Sequence, residues 1–209
     1  MTGIVVIDHG QSNMHSILRA LRFLGITHVL TSDPGDLEGA SHMILPGVGA
    51  FGEAMARLNE NGMTGAIREQ ARRGARLLGI CLGMQLLFER SAESPGVAGL
   101  GLIPGEVLPL RPHVALKVPH VGWNSTSLAP GVVAPFPDFA RLACESPFAY
   151  FVHSFYCAPR DAGDVVARTT YAGFQFCSMV RHENIYGVQF HPELSDMRGV
   201  HLVRQYAAV

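Results

Sequence analysis

Two short segments of this chain carry residue types that could do covalent chemistry together. Cys81 sits in Gly79-Ile80-Cys81-Leu82-Gly83, between an apolar run and a stretch of helical character. That arrangement fits a strand–turn–helix nucleophile elbow with cysteine as the nucleophile. The flanking glycines suit a turn so tight that side chains there would clash. A thiol placed before a helix N-terminus meets the positive end of the dipole and free N–H groups, which favour thiolate over thiol. The same pattern also suits a buried, inert cysteine, so a base is needed before it reads as an active site.

His191-Pro192-Glu193 offers that base among ten histidines, directly after the strand-like run Ile185 to Phe190. In extended chain, residues i and i+2 point the same way. Pro192 keeps His191 out of the helical region and fixes its own φ. Glu193 can then accept from one ring nitrogen while the other faces Cys81, which orients the imidazole and stabilises its charged form. A tetrahedral intermediate also needs oxyanion donors. Leu82 supplies one backbone N–H, and the loop Pro46-Gly47-Val48-Gly49 can bring a second, although taken alone this tetrapeptide reads more readily as an ordinary turn. One such donor is worth about 10²–10³ in rate.

The elements that must position these groups follow from periodicity. Ile4 to Ile7 is a short apolar run closed by Asp8-His9-Gly10, a buried strand. Ser12-Asn13 offers an N-cap to a helix carrying Met14, Ile17, Leu18, Leu21 and Leu24 at helical spacing, ended by Gly25. Strands are expected at 28–31, 41–45 and 76–80, a helical stretch at 52–73 broken near Asn61-Gly62, and a helix at 82–90. Strand–helix alternation means a parallel sheet covered on both faces, with chemistry at the carboxyl ends of the strands. The turns at 8–13, 46–49 and 79–83 fall at those ends. The second half is strand-like at 107–110, 148–152, 165–168, 174–180 and 185–190, with Pro, Gly and Asp between, which reads as an antiparallel extension. A last helix at 196–206 places Val200, Val203 and Ala207 on one side. The expected fold class is α/β: an open, mainly parallel twisted sheet with helices on both faces and an antiparallel extension, in one domain over 1–209.

Composition excludes several classes. A formal net charge of -1 gives no basic face for nucleic acid. The basic group Arg68, Arg72, Arg73 and Arg76 reads as the wet side of a helix. No apolar run approaches the ~20 residues of a membrane span, and the N-terminus lacks a signal-peptide pattern, so a cytoplasmic protein is expected. Cys81, Cys144, Cys157 and Cys177 show no C-x-x-C spacing. Neither a metal site nor a cofactor is expected, and the last three cysteines are expected in or near the core.

Longer stretches carry a resemblance. They are Pro46-Gly47-Val48-Gly49-Ala50-Phe51-Gly52, Gly79 to Phe88, Gly99 to Gly105, Val118-Pro119-His120-Val121-Gly122-Trp123-Asn124, Tyr150-Phe151-Val152-His153-Ser154 and Gly187 to Glu193. Over nearly its whole length the chain resembles the class I (triad) glutamine amidotransferases. Within them it is similar to the glutaminase subunits of imidazole glycerol phosphate synthase. The resemblance implies that Cys81 is the nucleophile, His191 the acid–base residue and Glu193 its orienter. It implies an oxyanion hole of Leu82 and the Gly47–Val48 peptide, and glutamine held by Gly49, Gln85, His153 and Ser154. It implies L-glutamine as substrate and a (β/α)₈-barrel cyclase subunit as heterodimer partner, receiving ammonia in histidine biosynthesis.

Three departures bear on the partner. The family's Asp-Tyr-Gly-x-Gly-Asn is here Asp8-His9-Gly10-Gln11-Ser12-Asn13, its His-Pro-Glu-Lys-Ser is His191-Pro192-Glu193-Leu194-Ser195, and its His-Ser-Tyr is His153-Ser154-Phe155. These positions lie where the family faces its partner. A paralogue feeding ammonia to another synthase, such as one amidinating a cell-surface sugar, is the alternative. A catalytically dead regulatory module would show a broken triad, and this one is complete. An α/β-hydrolase would order its triad nucleophile, acid, histidine, whereas here the histidine precedes the acid.

Overall fold

The computed structural model describes residues 3–10, 14–111, 113–132 and 148–208. In chain order the helices are α1 (Met14–Phe23), α2 (Phe51–Glu60), α3 (Met63–Arg72), α4 (Leu82–Leu86) and α5 (Asp196–Ala208). The first six strands are β1 (Ile4–Ile7), β2 (His28–Thr31), β3 (His42–Gly47), β4 (Arg76–Cys81), β5 (Phe88–Ser91) and β6 (Ile103–Pro109). The rest are β7 (His120–Leu128), β8 (Phe148–His153), β9 (Phe155–Pro159), β10 (Val165–Tyr171), β11 (Phe174–His182) and β12 (Ile185–Val188).

The sheet runs β2-β1-β3-β4-β12-β11-β10-β7-β8. The pairs from β2 to β12 are parallel and those beyond β12 antiparallel. A branch leaves β11 through β9 to β6 and β5. This is the expected α/β sheet with an antiparallel extension. Its two faces are legible in the period-two alternation of strand side chains. Val5, Ile7, Met43 and Leu45 pack with Phe51, Met55, Leu58, Met63 and Ile67 of α2 and α3. Ile4, Val6, Ile44 and Leu78 pack on the opposite face with Ile17, Leu21, Leu202 and Val203 of α1 and α5. Continuous burial of both faces explains why the central strands read as unbroken apolar runs.

Several local expectations change. The helix expected over 82–90 stops at Leu86, and Phe88–Ser91 becomes β5, paired with β6 through Phe88↔Ile103 and Ser91↔Val107. Leucines at 82, 86 and 87 suit a helix, but a strand partner from fifteen or more residues away captures the segment, which local periodicity does not register. The buried face of α5 is Gly199, Leu202, Val203 and Tyr206, not Val200, Val203 and Ala207. Two contacts set that rotation: Gly199 packs against Pro192, where a Cβ would meet the carbonyl oxygen at 2.1 Å, and the Tyr206 hydroxyl donates to Met43 O at 2.7 Å. Strands β7 and β9 were not expected. Arg68 is not on a wet face, since its guanidinium donates to Leu100 O at 2.8 Å and Gly99 O at 2.9 Å. The expected Ser12-Asn13 cap and the expected packing of Cys144 lie outside the described residues.

Candidate active site

The carboxyl ends of β1, β3, β4 and β12 are neighbours in the sheet, and the predicted site residues follow them. Gly47 is the register partner of Cys81, and Val188 that of Ile80. The turn from β4 into α4 puts Cys81 at φ 55°, ψ -110°, left-handed backbone that a non-glycine residue adopts only when its surroundings impose it. Packing on either side imposes it. A Cβ on Gly83 would fall 1.7 Å from Leu45 O, and one on Gly79 would fall 2.6 Å from Gly83 O. Both glycines are there for close backbone approach, as the sequence pattern implied.

The Cys81 thiol is buried and donates to Val152 O at 3.6 Å. His191 Nδ1 lies 2.8 Å from Glu193 Oε1, with both side chains about 5% exposed or less. Glu193 therefore fixes the ring as the H-x-E spacing suggested. The other ring nitrogen, Nε2, and the second carboxylate oxygen of Glu193 are buried without a hydrogen-bond partner. Burial works against the charged form of His191, and the neighbouring Cys81 sulfur and the Glu193 carboxylate outweigh it, raising the imidazole to about 10. The arrangement favours imidazolium beside a sulfur that can carry negative charge.

A pocket of about 270 Å³ opens over Cys81. Val48, Gly49, Leu82, Gln85, His153 and Ser154 line it, together with Glu93, Pro119, Val152 and Phe155. Of the predicted binding residues the structure thus gathers Gly49, Gln85, His153 and Ser154. It also changes what two of them offer. Both donors of the Gln85 amide are used, on Phe155 O at 3.3 Å and Gln189 Oε1 at 3.2 Å, which leaves its carbonyl oxygen for a ligand. The His153 ring turns inward. Its Nδ1 meets Phe155 O at 2.8 Å and its Nε2 meets His120 Nδ1 at 2.9 Å, while His120 Nε2 lies 3.3 Å from Asn124 Nδ2. A main-chain carbonyl and an amide NH₂ at the two ends allow one tautomer throughout: both rings are neutral and protonated on Nδ1. Burial holds His153 down at about 3 and His120 at about 4, consistent with rings that stay neutral.

Three residues escaped the sequence reading. Among the described residues Glu93 is the sole acidic side chain lining the pocket, and its Oε2 accepts from Phe51 N at 2.8 Å. It lies in an irregular segment, Ala92 to Gly99, with no motif around it. Gln189 is fully buried with its amide beside Cys81. His9 was placed on a partner-facing turn, whereas it is buried, with Nε2 2.9 Å from Pro46 O at the start of the Gly47–Val48 loop. A Cβ on Gly47 would meet that nitrogen at 3.1 Å. Phe155 also faces inward, against the core and the pocket. A second, larger depression of about 490 Å³ lies beside Ile185, at the start of β12. Its Arg68, His182 and Asn184 are already engaged with Leu100 O, Asp164 and Ala71 O.

A cysteine at a strained elbow, a buried His–Glu pair and a small polar pocket lie together at the carboxyl ends of a parallel sheet. The chain belongs to the family described as glutamine amidotransferase class-I, whose model matches residues 5–205. It is 46% identical over 207 residues to the imidazole glycerol phosphate synthase subunit HisH of Moorella thermoacetica, covering 99% of this chain and 94% of that one. It is 41% identical over 204 residues to the protein of the same description from Chlorobium luteolum, covering 98% of each. Among solved structures, the fold is similar to a glutamine amidotransferase at TM-score 0.74 and 20% identity, covering 99% of this chain and 100% of the other. It is also similar to PurLQS from Thermotoga maritima at TM-score 0.71 and 21% identity, covering 99% and 98%.

Proposed function

We propose that this chain is the glutaminase subunit of an imidazole glycerol phosphate synthase, releasing ammonia from L-glutamine for histidine biosynthesis. The observation that carries the reading is the buried His191–Glu193 pair acting electrostatically on a cysteine held in left-handed backbone, in a chain with full-length relatives of that description. The Cys81 sulfur, as a thiolate whose proton is held on His191, attacks the side-chain amide carbon of glutamine. The tetrahedral oxyanion is met by the Leu82 N–H and by the Gly47–Val48 peptide. Imidazolium at His191 protonates the departing ammonia, and water then hydrolyses the glutamyl thioester to glutamate and free thiol. Glu93 is the counter-charge for the α-ammonium of glutamine, and the Gln85 oxygen and the 153–154 backbone complete the cradle.

The partner is a (β/α)₈-barrel cyclase that binds over the mouth of this pocket as a heterodimer. The support is an apolar rim. Val48, Val121, Trp123, Phe148 and Val152 are all at least 37% exposed, and the register of β7 and β8 sets Val121 beside Val152. Solvent-facing apolar side chains gathered at one site mark an interaction surface. The cytoplasm, a reducing compartment, suits the free thiols of Cys81, Cys157 and Cys177. Leu194, where the family carries lysine, favours a second reading with a paralogous synthase as partner.

The test is ammonia release from glutamine by the chain with and without a barrel cyclase. Activity that depends on Cys81 and rises with the cyclase is the expected result. Activity retained above a few per cent in Cys81→Ala would refute the nucleophile assignment.

A further inference from the structure

Gln189 lies between β12 and His191, and its side chain is completely buried. Its main-chain N–H donates to Ser178 O at 3.0 Å. Its amide bridges two residues of the site: Oε1 is 3.2 Å from Gln85 Nε2, and Nε2 is 3.8 Å from Cys81 Sγ.

The end of the amide that faces the sulfur is dictated by a main-chain carbonyl. Phe155 O can only accept, and it accepts from His153 Nδ1 and Gln85 Nε2. Gln85 must therefore turn its NH₂ toward Phe155, and it spends the second N–H on Gln189 Oε1. Gln189 must then turn its own NH₂ toward Cys81. Reversing Gln189 alone would set two NH₂ groups against each other. Reversing both amides would press the Gln85 oxygen against the Phe155 oxygen. Every group in the chain from Phe155 to Cys81 is satisfied in only one direction.

We propose that Gln189 is a further catalytic residue of the glutaminase, donating a hydrogen bond from Nε2 to the Cys81 sulfur in its thiolate form, with Gln85 as the positioning residue that aims it. In the thiol form the sulfur's own proton points to Val152 O. With that proton on His191 instead, the sulfur carries negative charge at a site 6% exposed, where water gives little help. The Gln189 NH₂ is already oriented there, so the charge is met without rearrangement. The same donor meets the sulfur again when water attacks the thioester carbon and the C–S electron pair returns to sulfur as thiolate. Gln85 thereby has a task apart from lining the glutamine pocket.

The inference rests on Cys81 being the nucleophile, and the experiment separates the two. Iodoacetamide alkylates a thiolate by direct displacement, needing neither glutamine nor an oxyanion hole. Its rate against pH is measured for the unmodified chain and for Gln189→Met, which keeps the shape and loses the donor. In Gln189→Met the profile moves to higher pH, with the rate near pH 7 lowered about tenfold, as expected for one hydrogen bond to a charged group. The limiting rate at high pH is unchanged or raised. Gln85→Met gives a shift in the same direction, and the double variant adds little to Gln189→Met, because Gln85 acts on the sulfur through Gln189. A Gln189→Met profile that superimposes on the unmodified one overturns the proposal. A readout without that substitution guards against a misfolded variant. The Gln189 side-chain amide proton resonance should move as Cys81 titrates in the unmodified chain and stay fixed in Cys81→Ala. A resonance that ignores the Cys81 titration also overturns it. If Cys81→Ala still hydrolyses glutamine, the nucleophile assignment itself fails.

Discussion

The neutral histidine pair behind the pocket over Cys81 makes a quantitative claim about stability in acid. His120 and His153 are 3% and 5% exposed, and His120 stacks on Tyr171 with ring centroids 4.1 Å apart. Their pKa values are lowered from 6.5 to about 4 and about 3, with burial the leading cause. Above pH 6.5 neither ring is charged in either state, and their contribution is fully present. As pH falls below 6.5 the unfolded chain takes up two protons that the folded chain refuses, so stability is lost down to the folded values. Each ring contributes a slope of about 1.4 kcal/mol per pH unit. At pH 5.0 that amounts to about 2 kcal/mol per ring and about 4 kcal/mol for the pair, a large part of a typical total of about 5–15 kcal/mol. The control is the double variant His120→Phe/His153→Leu. It removes both titrations and strands no polar group, because Phe155 O keeps Gln85 and Asn124 keeps Thr170 O at 3.0 Å. Urea unfolding followed by far-UV circular dichroism at pH 7.5, 6.5, 5.5 and 5.0 gives the two pH dependences. His191, whose raised pKa adds stability below about 10, is common to both chains and cancels in the difference. The unmodified chain should lose about 4 kcal/mol more than the variant between pH 7.5 and 5.0. Parallel losses would show that the rings are not held neutral in the folded state, and the single-tautomer assignment of His120 and His153 would fail.

Other outcomes follow from the same geometry. His191→Ala should abolish steady-state glutaminase activity nearly as completely as Cys81→Ala, with Glu193→Ala clearly milder, since the carboxylate orients the ring without transferring a proton to substrate; ammonia release ranks the three, and a folded Glu193→Ala worse than His191→Ala would reverse the assigned roles. Gly83→Ala should destabilise the protein by roughly 2–4 kcal/mol, because its Cβ would collide with a backbone carbonyl. Gly65→Ala, in α3 with nothing within 4 Å of the new Cβ, should stabilise it by about 0.5–1 kcal/mol, and thermal unfolding reads both. Leu194→Lys should weaken the complex with the native partner or leave it unchanged while improving pairing with a barrel cyclase that presents the usual carboxylate; titration calorimetry showing markedly tighter native binding would mean that Leu194 is not matched to its partner.

The sequence by itself determined the parts of the proposed site that are local in the chain. The elbow around Cys81 is a property of five consecutive residues, because glycines at 79 and 83 are what a tight strand-to-helix turn demands. The His191–Glu193 contact is equally local, since an extended dipeptide step sets the two side chains on one side. Four of the five parallel strands, β1, β3, β4 and β12, were legible for a related reason: burial on both faces writes itself as short apolar runs. What only the tertiary structure decided are the features made by residues far apart. Phe88–Ser91 is a strand because β6 lies beside it, although its own leucine-rich approach suits a helix. His9 is a buried donor to Pro46 because β1 and β3 are neighbours, and its turn alone suggested a surface. The polarity of the Gln189 amide is fixed by a carbonyl at position 155, reached through Gln85 over 70 residues of chain. Local conformation is encoded by local sequence. The direction of a buried hydrogen bond depends on what the other end of the network can donate or accept, and that end is brought there by the fold.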